Sequence, residues 1–240
     1  KYQLALSQLG IPYKAMLIWN KNNHVLGRCD YNYKHEQILY GWLKKGTHTF
    51  YGKGEFNIPF IGQVNWGIWY VPFTVFVIVA MTNATNLTDG VDGLCGLTGF
   101  VAALALLLLA GLTGNLSMGI PAVALAGGLA GFLMWNFHPA RVFMGDTGSL
   151  FIGGALTALA FGLEQPFLLV PIGVLYIAEN LSVILQVAYF KITHGKRLFK
   201  MSPLHHHFEM SKWSEYKIVI TISLTGAVFG ILGIALVLAF

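Results

Sequence analysis

The chain has 240 residues, of which 55% are hydrophobic and only 10% charged, with a mean hydropathy of +0.63. This composition excludes a single soluble domain of that length and predicts an all-α integral membrane protein that crosses the bilayer several times. The formal net charge of +5 suits an anionic partner, either lipid headgroups or phosphorylated substrates, and does not choose between them.

Residues 1–54 do not follow the membrane pattern. They hold eight of the fifteen Lys and Arg residues and no apolar run long enough to span a bilayer. They also lack a signal-peptide pattern, so we expect internal apolar segments to drive insertion. The segments 15–20 and 37–42 are predicted to be short buried strands, which is typical of a soluble α/β protein.

The part of this segment from Leu17 to Trp42 resembles an internal stretch of phage-type DNA modification methylases. The chain lacks the Pro-Pro-Tyr-type catalytic motif and the glycine-rich cofactor loop of such enzymes. We therefore infer no methylase activity. We expect residues 1–54 to be a foreign or incomplete soluble-type segment, followed by a membrane domain at 55–240.

Six apolar segments follow, and each is about long enough to cross a bilayer core if the helices tilt. They predict six transmembrane helices. The segments lie at approximately 66–82, 95–113, 117–136, 148–163, 166–190 and 217–240.

The loops between these segments alternate in character. Three are polar and ionisable, at 83–94, 136–147 and 191–216, while the two others are very short and carry no Lys or Arg. Because successive helices cross in opposite directions, the polar loops share one side, which the positive-inside rule places in the cytoplasm. This topology puts residues 1–65 outside, against the same rule. We therefore expect a truncated or joined sequence that lacks earlier helices.

The first polar loop sets Asn83, Asn86, Asp89 and Asp92 three residues apart. In an α-helix these side chains would wind around the axis by about 60° per step, whereas a 3₁₀ segment would keep them on one edge. The glycine after each aspartate disfavours an unbroken helix. One interpretation is a polar turn that caps the next helix. The other is a functional site, because ionisable residues at membrane depth are rare and usually functional.

The second polar loop ends in Gly-Asp-Thr-Gly and places Asp146 directly before a predicted helix. In one interpretation Asp146 or Thr147 caps a helix that begins near Ser149. In the other, a carboxylate in a glycine-flanked turn beside backbone N–H groups binds Mg²⁺ and phosphate oxygens. Taken alone, the turn favours the cap.

The third polar loop contains His205, His206 and His207 in a row. A tag is disfavoured because the run is internal, short and flanked by Pro203 and Phe208. A zinc site is disfavoured because three adjacent rings cannot easily reach one ion. Histidines can instead hydrogen-bond phosphate and neutralise charge on a leaving group, helped by nearby basic residues.

Glu179 and Asn180 form a further polar pair, inside the fifth apolar segment. They kink or hydrate that helix, or pair with a neighbour, and we favour a structural role. Together with the three loops, such groups suit the joining of two phosphate-bearing substrates with a divalent cation.

Three motifs in this order carry a specific resemblance. They are Asn-Ala-Thr-Asn-Leu-Thr-Asp-Gly-Val-Asp-Gly-Leu from Asn83, Phe-Met-Gly-Asp-Thr-Gly-Ser-Leu from Phe143 and Pro-Leu-His-His-His-Phe-Glu from Pro203. They resemble the phospho-N-acetylmuramoyl-pentapeptide transferases, a branch of the polyprenyl-phosphate N-acetylhexosamine-1-phosphate transferases. The resemblance covers about 55–240.

The resemblance implies a multi-pass enzyme of the bacterial inner membrane that works in peptidoglycan biosynthesis. Its partners would be UDP-MurNAc-pentapeptide, undecaprenyl phosphate and the lipid bilayer, but no nucleic acid, and a homodimer is compatible with it. The enzyme would transfer phospho-MurNAc-pentapeptide to undecaprenyl phosphate and release lipid I and UMP, with Mg²⁺ as cofactor.

The resemblance also implies a role for each polar residue. Asp146 would be the Mg²⁺ ligand, and Asp89 would lie at the reaction centre. The other catalytic residues would be His205, His206 and His207, which would hold the diphosphate. Phe143 would stack on uracil, and the remaining substrate-binding residues would be Asn83, Asn86, Asp92 and Asn136.

The chain departs from this family in one important respect. Family members carry an earlier Asp-Asp pair with a following Lys, implicated in the lipid phosphate and metal site, and this chain has no Asp-Asp dipeptide. The family's first four helices would also be absent, so this chain is expected to be inactive alone. Alternatives are another polyprenyl-phosphate sugar-1-phosphate transferase, or a membrane transporter, which should show broken helices or internal repeats.

Overall fold

The structure is a computed structural model that describes the strands at 13–20, 35–41 and 55–58 and residues 62–239. It divides into two compact units, Lys1–Phe50 and Tyr51–Phe240. In the first unit, strand β1 (Tyr13–Asn20) pairs antiparallel with β2 (His35–Gly41). Both predicted strands are therefore present.

The second unit begins with a short hairpin of β3 (Glu55–Ile58) and β4 (Gly62–Asn65). A 3₁₀ turn at Gly67–Trp69 then leads into the helices. The helices are α1 (Tyr70–Thr88), α2 (Leu94–Leu112), α3 (Leu116–Asn136), α4 (Gly145–Gly162), α5 (Leu169–Ile172), α6 (Val174–Ile192), α7 (Leu204–Glu209) and α8 (Glu215–Ala239).

Within the described residues, five helices are long and apolar enough to cross a membrane. They are α1 with its preceding 3₁₀ turn, α2, α3, α6 and α8. The predicted segment 148–163 forms α4, a helix of 18 residues that does not belong to this set. The chain is thus an all-α polytopic membrane protein, as predicted, with five candidate spans by length and composition among the described residues and α4 in the place of the remaining predicted segment.

The predicted segment 166–190 is not one continuous helix. It divides into a 3₁₀ turn at Pro166–Leu168, the short α5 and the long α6. Pro171 lies within α5 and lacks the N–H that a continuing helix needs. The chain then turns at Gly173, where an added Cβ would approach the Leu169 carbonyl oxygen closely. These two residues explain the break.

Helix α2 forms the centre of the second unit. It is apolar all round, as expected for a helix surrounded by others, and ten of its residues are buried. It packs against α3 on one side and α8 on another. Leu106 and Leu109 on α2 and Leu156 on α4 belong to the same buried cluster.

Helices α1 and α4 approach each other closely at Gly153. A Cβ on Gly153 would lie 2.7 Å from the Met81 carbonyl oxygen, so only glycine allows this packing distance. Small residues at such crossings are typical of membrane helices. Along α4, Asp146 lies about two turns before Gly153 and Ser149 about one turn before it. The close crossing therefore brings both residues opposite the end of α1.

Candidate functional site

The three polar loops meet at one end of the helices, as predicted. Hydrogen bonds join Asn86 at the end of α1 to Asp146, and Asp92 to the backbone N–H of Ala140. His138, in the α3–α4 loop, pairs with Glu215 at the start of α8. The candidate site is therefore assembled from segments far apart in the sequence.

The first motif is divided between a helix and a turn. Helix α1 continues through Asn83 and Asn86 to Thr88, with Asp89 at its C-cap. The next helix begins after Gly93, whose φ of +81° requires a left-handed conformation that glycine adopts readily. The 3₁₀ alternative is therefore wrong for the two asparagines, whereas the expected break at the glycines is confirmed.

Asn83 and Asn86 consequently face different neighbours. Asn83 donates from Nδ2 to the Val79 carbonyl oxygen at 2.8 Å and lines a cleft shared with Asn180 of α6. Asn86 donates instead to α4. The four polar residues of this motif do not form a single row, and Asn83 lies apart from the residues around Asp146.

The carboxylate of Asp146 is tied to helix α1. Asn86 Nδ2 donates to Asp146 Oδ1 at 3.1 Å and to Ser149 Oγ at 3.0 Å. Helix α4 begins at Gly145, with Met144 at the N-cap position and no side-chain cap hydrogen bond. The interpretation of Asp146 as a cap is therefore wrong, because Gly145, at φ +67°, starts the helix about one turn earlier than predicted.

Asp89 and Asp146 affect each other electrostatically. Partial burial raises the pKa of Asp89 above its ordinary value, and the negative charge of Asp146 raises it further. Two neighbouring carboxylates form a natural position for a divalent cation. This arrangement fits a divalent cation better than Asp146 alone would.

A second group of ionisable residues lies at the same end of the helices. Asp92 Oδ2 accepts from the Ala140 backbone N–H at 2.9 Å and lies 3.3 Å from His138 Nδ1. The same Nδ1 lies 2.8 Å from Glu215 Oε2. The three side chains form the one group of three or more potential metal ligands found among the described residues. Sequence reasoning missed His138 and Glu215, since no motif connects a loop histidine to a glutamate so much later in the chain.

Asn136, the last residue of α3, and Phe143 in the following loop occupy opposite environments. Asn136 is only 3% exposed and donates from Nδ2 to the Val142 carbonyl oxygen at 2.9 Å, so it holds the loop closed from inside. Phe143 is 74% exposed and lines an apolar cleft of about 960 Å³ together with Phe132 and Phe151. A ring this exposed can stack on a planar ligand.

The three adjacent histidines have different polar partners. His205 is buried against Glu179. His206 Nδ1 lies 2.5 Å from Glu209 Oε2, and His207 Nδ1 accepts from the Lys200 backbone N–H at 3.1 Å. Their ring nitrogens are therefore not directed at one metal ion.

Glu179 pairs with a neighbour, in line with the structural role that we favoured. Its Oε2 lies 3.2 Å from His205 Nδ1 and accepts from the His205 backbone N–H at 3.3 Å. The other ring nitrogen, Nε2, is buried without a hydrogen-bond partner in the described part of the chain. It faces Gly90, where an added Cβ would collide with it. His205 thus packs directly on the Asp89-Gly90 turn.

Basic side chains surround this end of the helices and are exposed to solvent. They make the face electropositive, which attracts phosphate-bearing ligands. They are Arg141, Lys191, Lys196, Arg197, Lys200, Lys212 and Lys217.

Residues 38–164, just over half of the chain, match the family model described as glycosyl transferase family 4. This match begins before residue 55, where the sequence predicted the start of the membrane domain. The domain boundary and the methylase resemblance of residues 1–54 stay predictions.

Several curated proteins named phospho-N-acetylmuramoyl-pentapeptide-transferase are similar to the chain. That of Clostridium perfringens (strain 13 / Type A) is 49% identical over 193 residues, covering 80% of this chain and 60% of the relative. That of Clostridium botulinum (strain Eklund 17B / Type B) is 44% identical over 195 residues, covering 81% and 58%. That of Halalkalibacterium halodurans is 51% identical over 128 residues, covering 53% and 39%. The chain spans about three fifths of the length of the clostridial relatives.

Proposed function

The chain belongs to glycosyl transferase family 4, and from this membership we propose a transferase function for its polar end. The reaction is the transfer of phospho-MurNAc-pentapeptide from UDP-MurNAc-pentapeptide to undecaprenyl phosphate. The products are lipid I and UMP. The observation that carries the proposal is the meeting of the three motifs around the Asp89-Gly90 turn. Near this turn, Asn86 donates a hydrogen bond to Asp146, and His205 packs on Gly90.

Asp146, with Asp89 beside it, provides the position for Mg²⁺. Burial and the negative charge of Asp146 both raise the pKa of Asp89, and a cation held by these carboxylates would offset that charge. Bound Mg²⁺ supplies positive charge for the phosphate oxygens of the two substrates. Asn86 orients the Asp146 carboxylate through its hydrogen bond.

The diphosphate of the UDP carrier lies against the histidine run. His205 presents Nε2 to the Asp89-Gly90 turn, while His206 and His207 lie on the half-buried surface of α7. Lys200 adds positive charge nearby, because its backbone N–H is bonded to His207. These groups hold negative charge as it develops on the leaving UMP.

The nucleoside lies across the first two polar loops. Phe143 offers an exposed ring for stacking on uracil, and Asn86 and Asp92 supply hydrogen-bonding groups on the same end. Asn136 acts on this subsite by holding the loop in shape. Asn83 lies on the α6 side of α1, so its contact with substrate is made at the edge of the site.

The polar end faces the cytoplasm of a bacterium, where the soluble UDP substrate is available. Its loops and the helix ends beside them hold all seven Lys and Arg residues after residue 54, as the positive-inside rule requires of a cytoplasmic face. The chain is then a multi-pass protein of the inner membrane, and undecaprenyl phosphate reaches the site from the bilayer.

The test is a chimera, because this chain has no Asp-Asp pair and is not expected to form lipid I alone. Residues 62–239 replace the aligned part of the Clostridium perfringens transferase, and product formation is measured with undecaprenyl phosphate and Mg²⁺. We expect lipid I from UDP-MurNAc-pentapeptide and no product from UDP-N-acetylglucosamine. Equal or faster reaction of UDP-N-acetylglucosamine would favour another sugar-1-phosphate transferase. A chimera that folds but reacts with neither contradicts the proposal.

A further inference from the structure

Three ligand atoms converge at the polar end of the helices. Asp92 Oδ2, His138 Nδ1 and Glu215 Oε2 all lie within 4.8 Å of one another. They come from the α1–α2 turn, the α3–α4 loop and the first residue of α8. From this geometry we propose a second divalent cation site, formed by Asp92, His138 and Glu215 and selective for a transition metal such as Zn²⁺.

The distances between these atoms fit one metal ion. Tetrahedral Zn²⁺ with bonds of about 2.1 Å holds neighbouring ligands about 3.4 Å apart. His138 Nδ1 lies 3.3 Å from Asp92 Oδ2 and 2.8 Å from Glu215 Oε2. Small side-chain rotations therefore bring all three atoms to ligand distance, and the remaining position is open to water.

The charges of the cluster also favour a cation. Within residues 62–239, Asp92 and Glu215 pair with His138 and with no lysine or arginine. Two carboxylates consequently share one imidazole nitrogen, which carries at most a single proton. A divalent cation compensates both negative charges, which the one proton cannot do.

The positions of the ligands are fixed by contacts that do not involve a metal. The Ala140 backbone N–H holds Asp92, and the Tyr216 hydroxyl donates to the His138 carbonyl oxygen. The Tyr216 ring also lies edge-on to the His138 ring, with centroids 5.4 Å apart. Such support around the ligands keeps a metal site preorganised. All three ligand side chains are partly exposed, so an ion can enter from solvent.

The chemistry of the ligands distinguishes this site from the Asp89–Asp146 pair. An imidazole with two carboxylates suits Zn²⁺, Mn²⁺ or Co²⁺, whereas a site of oxygen ligands alone suits Mg²⁺. The end of the helices would then hold two ions of different kinds. The second ion would tie together the loops before α2 and α4 and the start of α8.

The test measures metal binding to the purified full chain in detergent, without nucleotide or lipid, so it is independent of the proposed transferase activity. Zn²⁺ affinity is determined by calorimetry in millimolar Mg²⁺, and Co²⁺ is added to record its visible absorption bands. The variants are His138→Gln and Glu215→Gln, which keep hydrogen-bonding groups of similar size. Glu209→Gln is the matched control, because Glu209 also pairs with a histidine but has no third ligand nearby within residues 62–239.

We expect one equivalent of Zn²⁺ to bind wild type and Glu209→Gln alike, with a loss of at least about tenfold in affinity in each of the two ligand variants. The Co²⁺ bands should disappear in the same two variants. Thermal melting without metal establishes whether each variant is folded. If one of the two ligand variants fails to fold, the other is sufficient to test the proposal. Unchanged affinity in a folded His138→Gln or Glu215→Gln variant overturns the proposal. So does the absence of Zn²⁺ binding by wild type in the presence of Mg²⁺.

Discussion

Glu179 Oε2 lies 3.2 Å from His205 Nδ1, and the two side chains are 2% and 1% exposed. This buried contact joins membrane helix α6 to the short helix α7 that carries the histidine run. Glu179 Oε2 also accepts a hydrogen bond from the His205 backbone N–H, so it holds the ring with Nε2 facing the Asp89-Gly90 turn. Glu179 is therefore a positioning residue for His205.

The first prediction concerns this pair. Glu179→Ala leaves Nδ1 and the His205 backbone N–H buried without their acceptor, which costs about 1–3 kcal/mol in the free energy of unfolding. Glu179→Gln keeps an acceptor and should cost less. Glu209→Gln, which alters the half-exposed pair with His206, should cost about 0–1 kcal/mol. Thermal melting in detergent measures the order of stability of these variants. Equal melting temperatures for Glu179→Ala and wild type would contradict the prediction.

The second prediction concerns the crossing of α1 and α4. Gly153→Ala places a Cβ against the Met81 carbonyl oxygen, so the helices must separate at a cost of about 1–3 kcal/mol. Separation also lengthens the hydrogen bond from Asn86 to Asp146 and should lower turnover of the chimera. The adjacent Gly154→Ala is the control, since its Cβ would lie 3.9 Å from Thr82 in ordinary contact. Similar stability of the two variants would show that the helices tolerate the added methyl group.

The third prediction concerns pH, in a metal-free buffer. The pKa of Asp89 is raised in the folded state above its ordinary value of 3.8. At pH values between 3.8 and the raised pKa, the folded chain therefore binds more protons than the unfolded chain. The free energy of unfolding therefore falls as the pH rises through this window. Asp146→Asn removes the repulsive cause and leaves the burial, so the fall should be smaller and the variant more stable at pH 7.

Melting temperatures measured between about pH 4 and pH 8 reveal this difference. Mg²⁺ should stabilise wild type at pH 7 more than it stabilises Asp146→Asn, because only wild type offers both carboxylates. A variant that is less stable than wild type at pH 7 without Mg²⁺ would argue against repulsion between Asp89 and Asp146.

The fourth prediction concerns topology. Single cysteines at the exposed positions His194 and Ser214 should resist an impermeant thiol reagent in intact cells, whereas one at exposed Ser117 should react. The background for these single-cysteine variants carries Cys29→Ser. Its remaining native cysteine, Cys95, is buried. Labelling at either of the first two positions from outside would reverse the orientation inferred from the basic residues.

Much of the fold could be predicted from the sequence because long apolar runs report membrane helices directly. The break around Pro171 and Gly173 was missed because the apolar run continues through it. The start of α4 was missed because Gly145 adopts a left-handed φ, and a glycine-rich turn allows several starting points. Patterns of hydropathy contain neither kind of information.

The candidate site was predictable in its local motifs and not in its long-range pairs. The motifs around Asp89 and Asp146 stand out as ionisable residues between apolar segments. The partner of His205 is Glu179, 26 residues away, and the partner of His138 is Glu215. Such pairs depend on the packing of helices that the sequence pattern does not specify, so only the structure identified them.

The central claim is that Asp146 binds the Mg²⁺ that serves phosphosugar transfer, and the most direct test is lipid I formation by the chimera carrying Asp146→Asn. An amide is a poor Mg²⁺ ligand, so turnover at saturating substrate should fall by about 10²–10³-fold, and added Mg²⁺ should restore little of it. Wild-type turnover with unchanged Mg²⁺ dependence would contradict the account.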